Sequence, residues 1–284
     1  MRGTPARDAL DGAITAIAAG GCETPRLDAE VLLAHVLGVA RERLLIDRDL
    51  VVAGPSVRAY QDAVRRRAVE REPVAYIVGH RGFRHLDLSV DRRVLVPRPE
   101  TELLVEVGLT LDSGARVLDV GTGSGAVALA LKHERPDLQV SASDLSESSL
   151  DLARANGQRL GLAVQWLQAD LLEDIPDEFD AVLSNLPYVA ESERAQLAPE
   201  ILRHEPAEAL FAGPDGLAVI RSLLVLLSER RHVRMVALEV GASHAGQVTD
   251  LLALAGFSRV RGERDLAGVE RVLVGERGSG AAAG

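Results

Sequence analysis

The chain has 284 residues, a formal net charge of −10, 47% hydrophobic and 26% charged residues, and one cysteine, Cys22. That length accommodates a large domain or a large and a small one. A lone cysteine excludes an internal disulfide and a multi-cysteine zinc site and fits a reducing compartment. No apolar stretch is long enough to span a bilayer.

The seven histidines form no HExxH or close pair, so no metal is expected. The N-terminal residues lack a continuous apolar core, which argues against a secretory signal. A cytoplasmic protein without a membrane partner is the expectation. Residues 1–80 hold eleven arginines and eleven acidic residues, so the −10 resides in the remainder. Proteins that bind duplex DNA or long RNA unaided present a basic face. An acidic remainder therefore argues against a direct nucleic-acid requirement.

In chain order, residues 1–79 read as a small helical bundle. Leu27, Val31, Leu32, Val36 and Leu37 recur at helical spacing after Pro25, and Gly38 closes that segment. A further helix is expected from Pro55 to Glu72. It carries Arg65-Arg66-Arg67, which read as a solvated face beside Asp62, Glu70 and Glu72. Residues 80–96 read as a linker hairpin, with an alternating stretch from Gly82 to Val90 followed by Val94-Leu95-Val96. Pro99 suits the first turn of a helix through Leu109.

From Arg116 strands and helices alternate. Strand Arg116–Val120 precedes helix Gly125–Glu134, and strand Gln139–Asp144 precedes helix Ser146–Leu160. Strands Val164–Asp170 and Phe179–Ser184 follow, then helix Leu217–Glu229, strand Met235–Val240 and helix His244–Ala255. Two closing strands, near Phe257–Arg261 and Val269–Val274, suggest an antiparallel edge hairpin. The pattern predicts an α/β fold over residues 97–277, with a doubly wound, mostly parallel sheet and ligands at the strands' C-terminal ends. Residues 278–284 read as a disordered tail of small residues.

Two stretches carry chemistry. Gly121-Thr122-Gly123-Ser124-Gly125 is a strand-to-helix turn of the kind that also binds dinucleotides and phosphates. Three features favour S-adenosylmethionine (SAM) instead: Asp119 two positions before the first glycine, GxGxG spacing, and no Gly-Lys-Ser/Thr phosphate loop. Asp144, ending the next strand, is placed to accept the ribose hydroxyls, with Ser146 the better helix cap. Asp170 and Leu171 at the third strand's end would flank the adenine.

The second stretch, Asn185-Leu186-Pro187-Tyr188, falls at the fourth strand's end. Its side-chain carbonyl and a backbone carbonyl can each accept an N–H of a planar NH2 group, while the aromatic ring covers one flat face. Asn185 and Tyr188 are the candidate catalytic residues, and Asn185 is also a candidate contact to the cofactor. Asn185, Leu186, Pro187 and Tyr188 together form the candidate acceptor site.

The arrangement resembles the PrmC/HemK family of release factor glutamine N5-methyltransferases. The likeness covers the helical N-terminus, the hairpin, Val96-Pro97-Arg98-Pro99-Glu100-Thr101, Leu118 through Ala126, Asp144, and the tetrapeptide after Val182-Leu183-Ser184. It implies a SAM-dependent methyltransferase fold and methylation of the side-chain amide of the glutamine in the Gly-Gly-Gln loop of peptide-chain release factors. It also implies that Asn185 binds the target amide, residue 186 supplies a backbone carbonyl, Pro187 shapes the turn and Tyr188 stacks. The family usually has Asn-Pro-Pro-Tyr. Asn-Leu-Pro-Tyr also occurs in rRNA adenine dimethyltransferases, so the tetrapeptide alone leaves a nucleic-acid adenine N6-methyltransferase open. A non-catalytic SAM-fold protein is opposed by the intact glycines and Asn185.

Overall fold

The computed structural model describes residues 3–47, 49–176 and 178–278. Its elements run β1 (Thr4–Pro5), α1 (Ala6–Ala19), α2 (Pro25–Leu37), α3 (Arg41–Ile46), β2 (Val51–Val52), α4 (Pro55–Ala68), α5 (Val74–Val78), β3 (His80–Phe83) and β4 (Leu86–Ser89). A 3-10 turn, Pro99–Thr101, leads into α6 (Glu102–Leu109), β5 (Arg116–Val120), α7 (Ala126–Glu134), β6 (Gln139–Asp144), α8 (Glu147–Leu160), β7 (Gln165–Gln168) and β8 (Ala181–Ser184). Beyond these lie α9 (Pro199–His204), α10 (Ala218–Glu229), β9 (Met235–Glu239), α11 (Ala245–Leu254), β10 (Arg259–Arg264) and β11 (Glu270–Glu276). The tail expected at 278–284 lies, from residue 279 on, outside the described residues.

The chain divides into two units. One runs to His80 and takes in Leu197–His204; the other holds Arg81–Gln196 and everything from Glu205.

The larger unit is built on a seven-stranded sheet of order β10-β11-β9-β8-β5-β6-β7. Strands β7, β6, β5, β8 and β9 are parallel, whereas β11 and β10 close the edge antiparallel. Successive strand residues point to opposite faces, and here both faces are covered. Val117, Ala181, Leu183 and Ala237 enter one apolar core with α6 and α7. Leu118, Val120, Val182, Val236 and Leu238 enter the other with α10 and α11. Burial on both sides explains the near-continuous apolar strands.

The linker hairpin differs from expectation. It forms between β3 and β4 and turns at Arg84, which has φ +49°. Arg84 is locked there: its backbone N–H donates to Glu102 at 3.1 Å and its guanidinium pairs with Glu134 and Glu106. Val94–Val96 lies in no strand, because Asp91 folds the chain into a turn, accepting from the N–H groups of Arg93 and Val94.

In the smaller unit, α1, α2, α4 and α5 enclose a core that includes Ile17, Ala29, Leu32, Leu33, Tyr60 and Ala63. One small strand pair, β1 with β2, was not anticipated. Helix α4 stops at Ala68 rather than Glu72, with Arg71 in the left-handed region at φ +59°. The arginine run is not one solvated face. Arg67 follows Tyr60 and Ala63 on the buried side of α4, where it donates to Asp28 at 2.6 Å and Glu200 at 3.2 Å. Arg71 holds the same Glu200 at 2.6 Å, and the ring Nε2 of His204 meets the Glu70 carbonyl at 2.8 Å. The segment Leu197–His204 thus packs with the bundle although it is encoded far from it.

Candidate active site

Strands β5, β6 and β8 end level, Val120 pairing with both Ser143 and Ser184. Gly121, Asp144 and Asn185 are the next residues of the three strands or their loops, side by side at the C-terminal edge. A cavity of about 570 Å³ opens there, within the roughly 300–1,000 Å³ of small-molecule sites. Asp119, Gly121–Ser124, Asp144, Asp170, Leu171, Asn185, Leu186 and Pro187 line it. Gly125 and Tyr188 are not among its lining residues.

The glycine turn is a matter of backbone conformation. Gly121, Gly123 and Gly125 have φ of +72°, +54° and +83°, values that cost a side-chain-bearing residue strain. The N–H groups of Gly121 and Thr122 both donate to the Ser143 carbonyl at 2.9 Å. The fully buried Asn156 donates to the Ser124 carbonyl at 3.0 Å and exchanges two bonds with the backbone of Ser89, tying the turn to β4.

Asp119 is buried beneath this turn. Its Oδ2 accepts from Thr122 Oγ1 at 2.6 Å and from the Ala128 N–H at 3.2 Å. Burial pushes its carboxyl up to about 7, against the pull of those two donors. Asp144 spans two loops, Oδ2 accepting from the Gly123 N–H at 2.8 Å and Oδ1 from the Ser146 N–H at 2.9 Å. Burial raises its pKa too. Each of its oxygens retains a lone pair for a ligand hydroxyl. Ser146 caps α8 as the sequence indicated, accepting from the Ser149 N–H at 3.3 Å. Leu171 stands at φ +52°, a conformation uncommon away from glycine and asparagine.

The tetrapeptide is held by side chains. Asn185 Nδ2 donates to Thr101 Oγ1 at 3.1 Å, Thr101 Oγ1 donates to Glu239 Oε2 at 2.6 Å, and the Tyr188 hydroxyl donates to Glu239 Oε1 at 3.2 Å. Burial, with the nearby Glu239 charge, raises the Tyr188 pKa. The backbone of Tyr188 fits closely as well, since a Cβ on Gly216 would fall 2.4 Å from its carbonyl oxygen. Leu186 does more than continue the turn. Its side chain is buried in the core of the α10 and α11 face, and a Cβ on Gly121 would meet its Cδ2 at 3.2 Å.

Sequence reading missed Glu239 and the individual role of Thr101. An acid within the apolar run Met235–Val240 was the available signal. It also missed Pro206, Glu208 and Ala209, which line the cavity from a short 3-10 turn, Ala207–Ala209, and the residue before it. Arg93 and Arg98 line it too, but both guanidinium groups are engaged, Arg93 with Asp91 and Arg98 with Glu205 at 2.7 and 2.8 Å. Glycines that admit close backbone approach, four acidic side chains (Asp119, Asp144, Asp170 and Glu208) and paired arginines suit a cationic, phosphate-free cofactor such as SAM better than a dinucleotide.

Comparison with known proteins agrees with this geometry. Residues 8–79 match the PrmC N-terminal domain, and residues 99–225 match the methyltransferase small domain. A release factor glutamine methyltransferase of Rhodopirellula baltica is 41% identical over 267 residues, covering 89% of this chain and 90% of its own. The protein of the same name from Mycolicibacterium smegmatis is 38% identical over 283 residues, covering 96% and 98%. Among solved structures, a methyltransferase from Pyrococcus furiosus superposes with a TM-score of 0.50 at 20% identity, covering 68% of this chain and 89% of that one. That likeness concerns the fold, a Rossmann-like methyltransferase sheet.

Proposed function

The chain belongs to the release factor glutamine methyltransferase family, and we propose that it methylates the side-chain amide nitrogen (N5) of the glutamine in the Gly-Gly-Gln loop of release factors. The observation that carries this reading is the shared cavity: Gly121–Ser124 of the glycine turn and Asn185, Leu186 and Pro187 of the tetrapeptide line it from adjacent strands. SAM, when bound, supplies an electrophilic methyl group.

The residues of the chain bind and orient. Asp144 accepts the ribose hydroxyls, Asp170 and Leu171 flank the adenine, and the turn Gly121–Gly125 brings backbone close to the cofactor, braced by Asp119. Asn185 accepts one N–H of the glutamine amide and the carbonyl of Leu186 the other. Pro187 shapes the turn, and Tyr188, set back from the cavity lining, braces it through its hydroxyl on Glu239. An amide nitrogen is a weak nucleophile because its lone pair is delocalised. Holding it in line with the methyl group supplies much of the rate, and carbonyl acceptors favour the positive charge that grows on nitrogen. The helical residues 1–79 serve recognition of the protein substrate, in the cytoplasm, with no direct nucleic-acid requirement.

The test is incubation with labelled SAM and a purified release factor, beside rRNA and DNA controls, followed by mass spectrometry. N5-methylglutamine in the release factor is the expected product. N6-methyladenine without it would make the protein a nucleic-acid enzyme.

A further inference from the structure

We propose that Glu239 is a positioning residue for methyl transfer, fixing through Thr101 which end of the Asn185 amide faces the acceptor. This rests on the function proposed above and adds to it a source for the polarity of the site.

Glu239 ends β9 and is 2% exposed. Its carboxylate accepts two hydroxyl hydrogens, from Thr101 at Oε2 and Tyr188 at Oε1. An ionised carboxylate accepts and cannot donate, and a threonine hydroxyl has a single hydrogen. With that hydrogen spent on Glu239, Thr101 offers Asn185 only lone pairs. Asn185 must meet it with Nδ2, as it does at 3.1 Å. The opposite end of the amide, Oδ1, is then left for a ligand in the cavity that Asn185 lines. An oxygen there accepts from the glutamine NH2 and leaves its nitrogen lone pair available; an NH2 group would oppose it.

The placement is costly if its only purpose is stability. A buried charge ordinarily needs an opposite charge. Among the described residues Glu239 has no ion pair; burial raises its pKa, the Thr101 and Tyr188 hydroxyls favour its charged form, and Arg271, whose charge also reaches it, is bound to Asp265 at 2.9 Å. An apolar residue would serve the sheet better at this position. What it could not do is dictate the direction of a hydrogen-bond chain ending at Asn185.

The experiment compares Glu239→Gln, Thr101→Val and Thr101→Ser with the parent in full-length protein, using SAM and purified release factor. Glutamine at 239 can donate to Thr101, which frees the threonine hydrogen to turn toward Asn185 and reverse its amide. The expected result is a kcat about a hundredfold lower with calorimetric SAM affinity unchanged. Thr101→Val should fall as far, Thr101→Ser should recover most of the rate, and Glu239→Gln combined with Thr101→Val should be no worse than either alone. A Thr101→Val variant that turns over like the parent would overturn the proposal, as would Thr101→Ser and Thr101→Val behaving alike. If Glu239→Gln fails to fold, shown by lost SAM binding, the two Thr101 variants decide alone. A parent that binds SAM yet leaves release factor unmodified would refute the proposed function, a separate outcome.

Discussion

The two walls of the cavity are built by different means. On the cofactor wall the bracing bonds of the two aspartates join residues no more than 21 apart: Asp119 reaches Thr122 and Ala128, and Asp144 reaches Gly123 and Ser146. On the acceptor wall they span the fold, Asn185 to Thr101, and Thr101 and Tyr188 to Glu239. The first wall is built from β5, α7, β6 and α8, with Asn156 of α8 tying it to β4. The second exists only once β8 and β9 have joined the sheet and the Pro99–Thr101 turn has docked. Substitutions on the two walls should accordingly fail differently, in affinity on one side and in rate on the other.

The largest effect is expected at Asn185. Asn185→Ala should lower single-turnover methyl transfer by about 10²–10³-fold, the usual loss for one oriented polar group at a reacting centre, with SAM affinity retained in a calorimetric titration. An equal fall in both would mean that the walls are not separable. Asp144→Ala should show the converse. Losing a charged acceptor weakens SAM binding by about 1.5–3 kcal/mol, and turnover should recover at saturating SAM. Asp144→Asn, which keeps an oxygen for one of the two loop N–H groups, should lie between.

Asp119 sharpens the contrast through pH. Its carboxyl titrates at about 7 in the folded protein against an ordinary value of 3.8. Between those values the native state holds a proton that the unfolded chain has released. The contribution is fully present below 3.8 and is lost as the pH rises through 7, with a slope of at most about 1.4 kcal/mol per pH unit. Denaturant titrations of the cofactor-free protein across that window should show the decline, and Asp119→Asn should flatten it. A variant as steep as the parent would assign the slope to other groups.

The smallest effect belongs to Leu186. Sequence reasoning treated this residue as a backbone carbonyl alone, for which proline would serve equally or better. Its buried side chain adds a packing contribution, so Leu186→Pro exchanges contact with Gly121 for a stiffer turn. Stability should fall by no more than about 1.5 kcal/mol and activity on release factor should stay within a few-fold, read by thermal unfolding and turnover. Appearance of RNA methylation in either protein would reopen the adenine reading.

The same contrast accounts for what could be read from the chain. The glycine turn, Asp144 and the Ser146 cap announce themselves because each is marked by a local spacing, glycines after a strand, an acid at a strand end, a serine before a helix, although partners of the first two lie more than twenty residues away. Alternating strands and helices gave the doubly wound sheet, and two strands without a helix between them gave the antiparallel edge. Arg67 and Glu239 were misread or missed because their partners, Asp28, Glu200, Thr101 and Tyr188, are distant in sequence. A charged residue inside an apolar period carries no label for what it will meet. The hairpin was misplaced for a related reason: the turn at Arg84 is fixed by Glu102, Glu106 and Glu134, not by a glycine or proline in the turn itself.

Leu197–His204 has a consequence for how this architecture can be recombined. The helical bundle is not a cassette bounded by His80, since Glu200 supplies a carboxylate to Arg67 and Arg71, and His204 meets the Glu70 carbonyl. A chimaera that imports a relative's first eighty residues would inherit guanidinium groups without the acid they were matched to. Exchange between relatives has to move two separated stretches together, so the bundle and this insert should change in step as a single unit of inheritance.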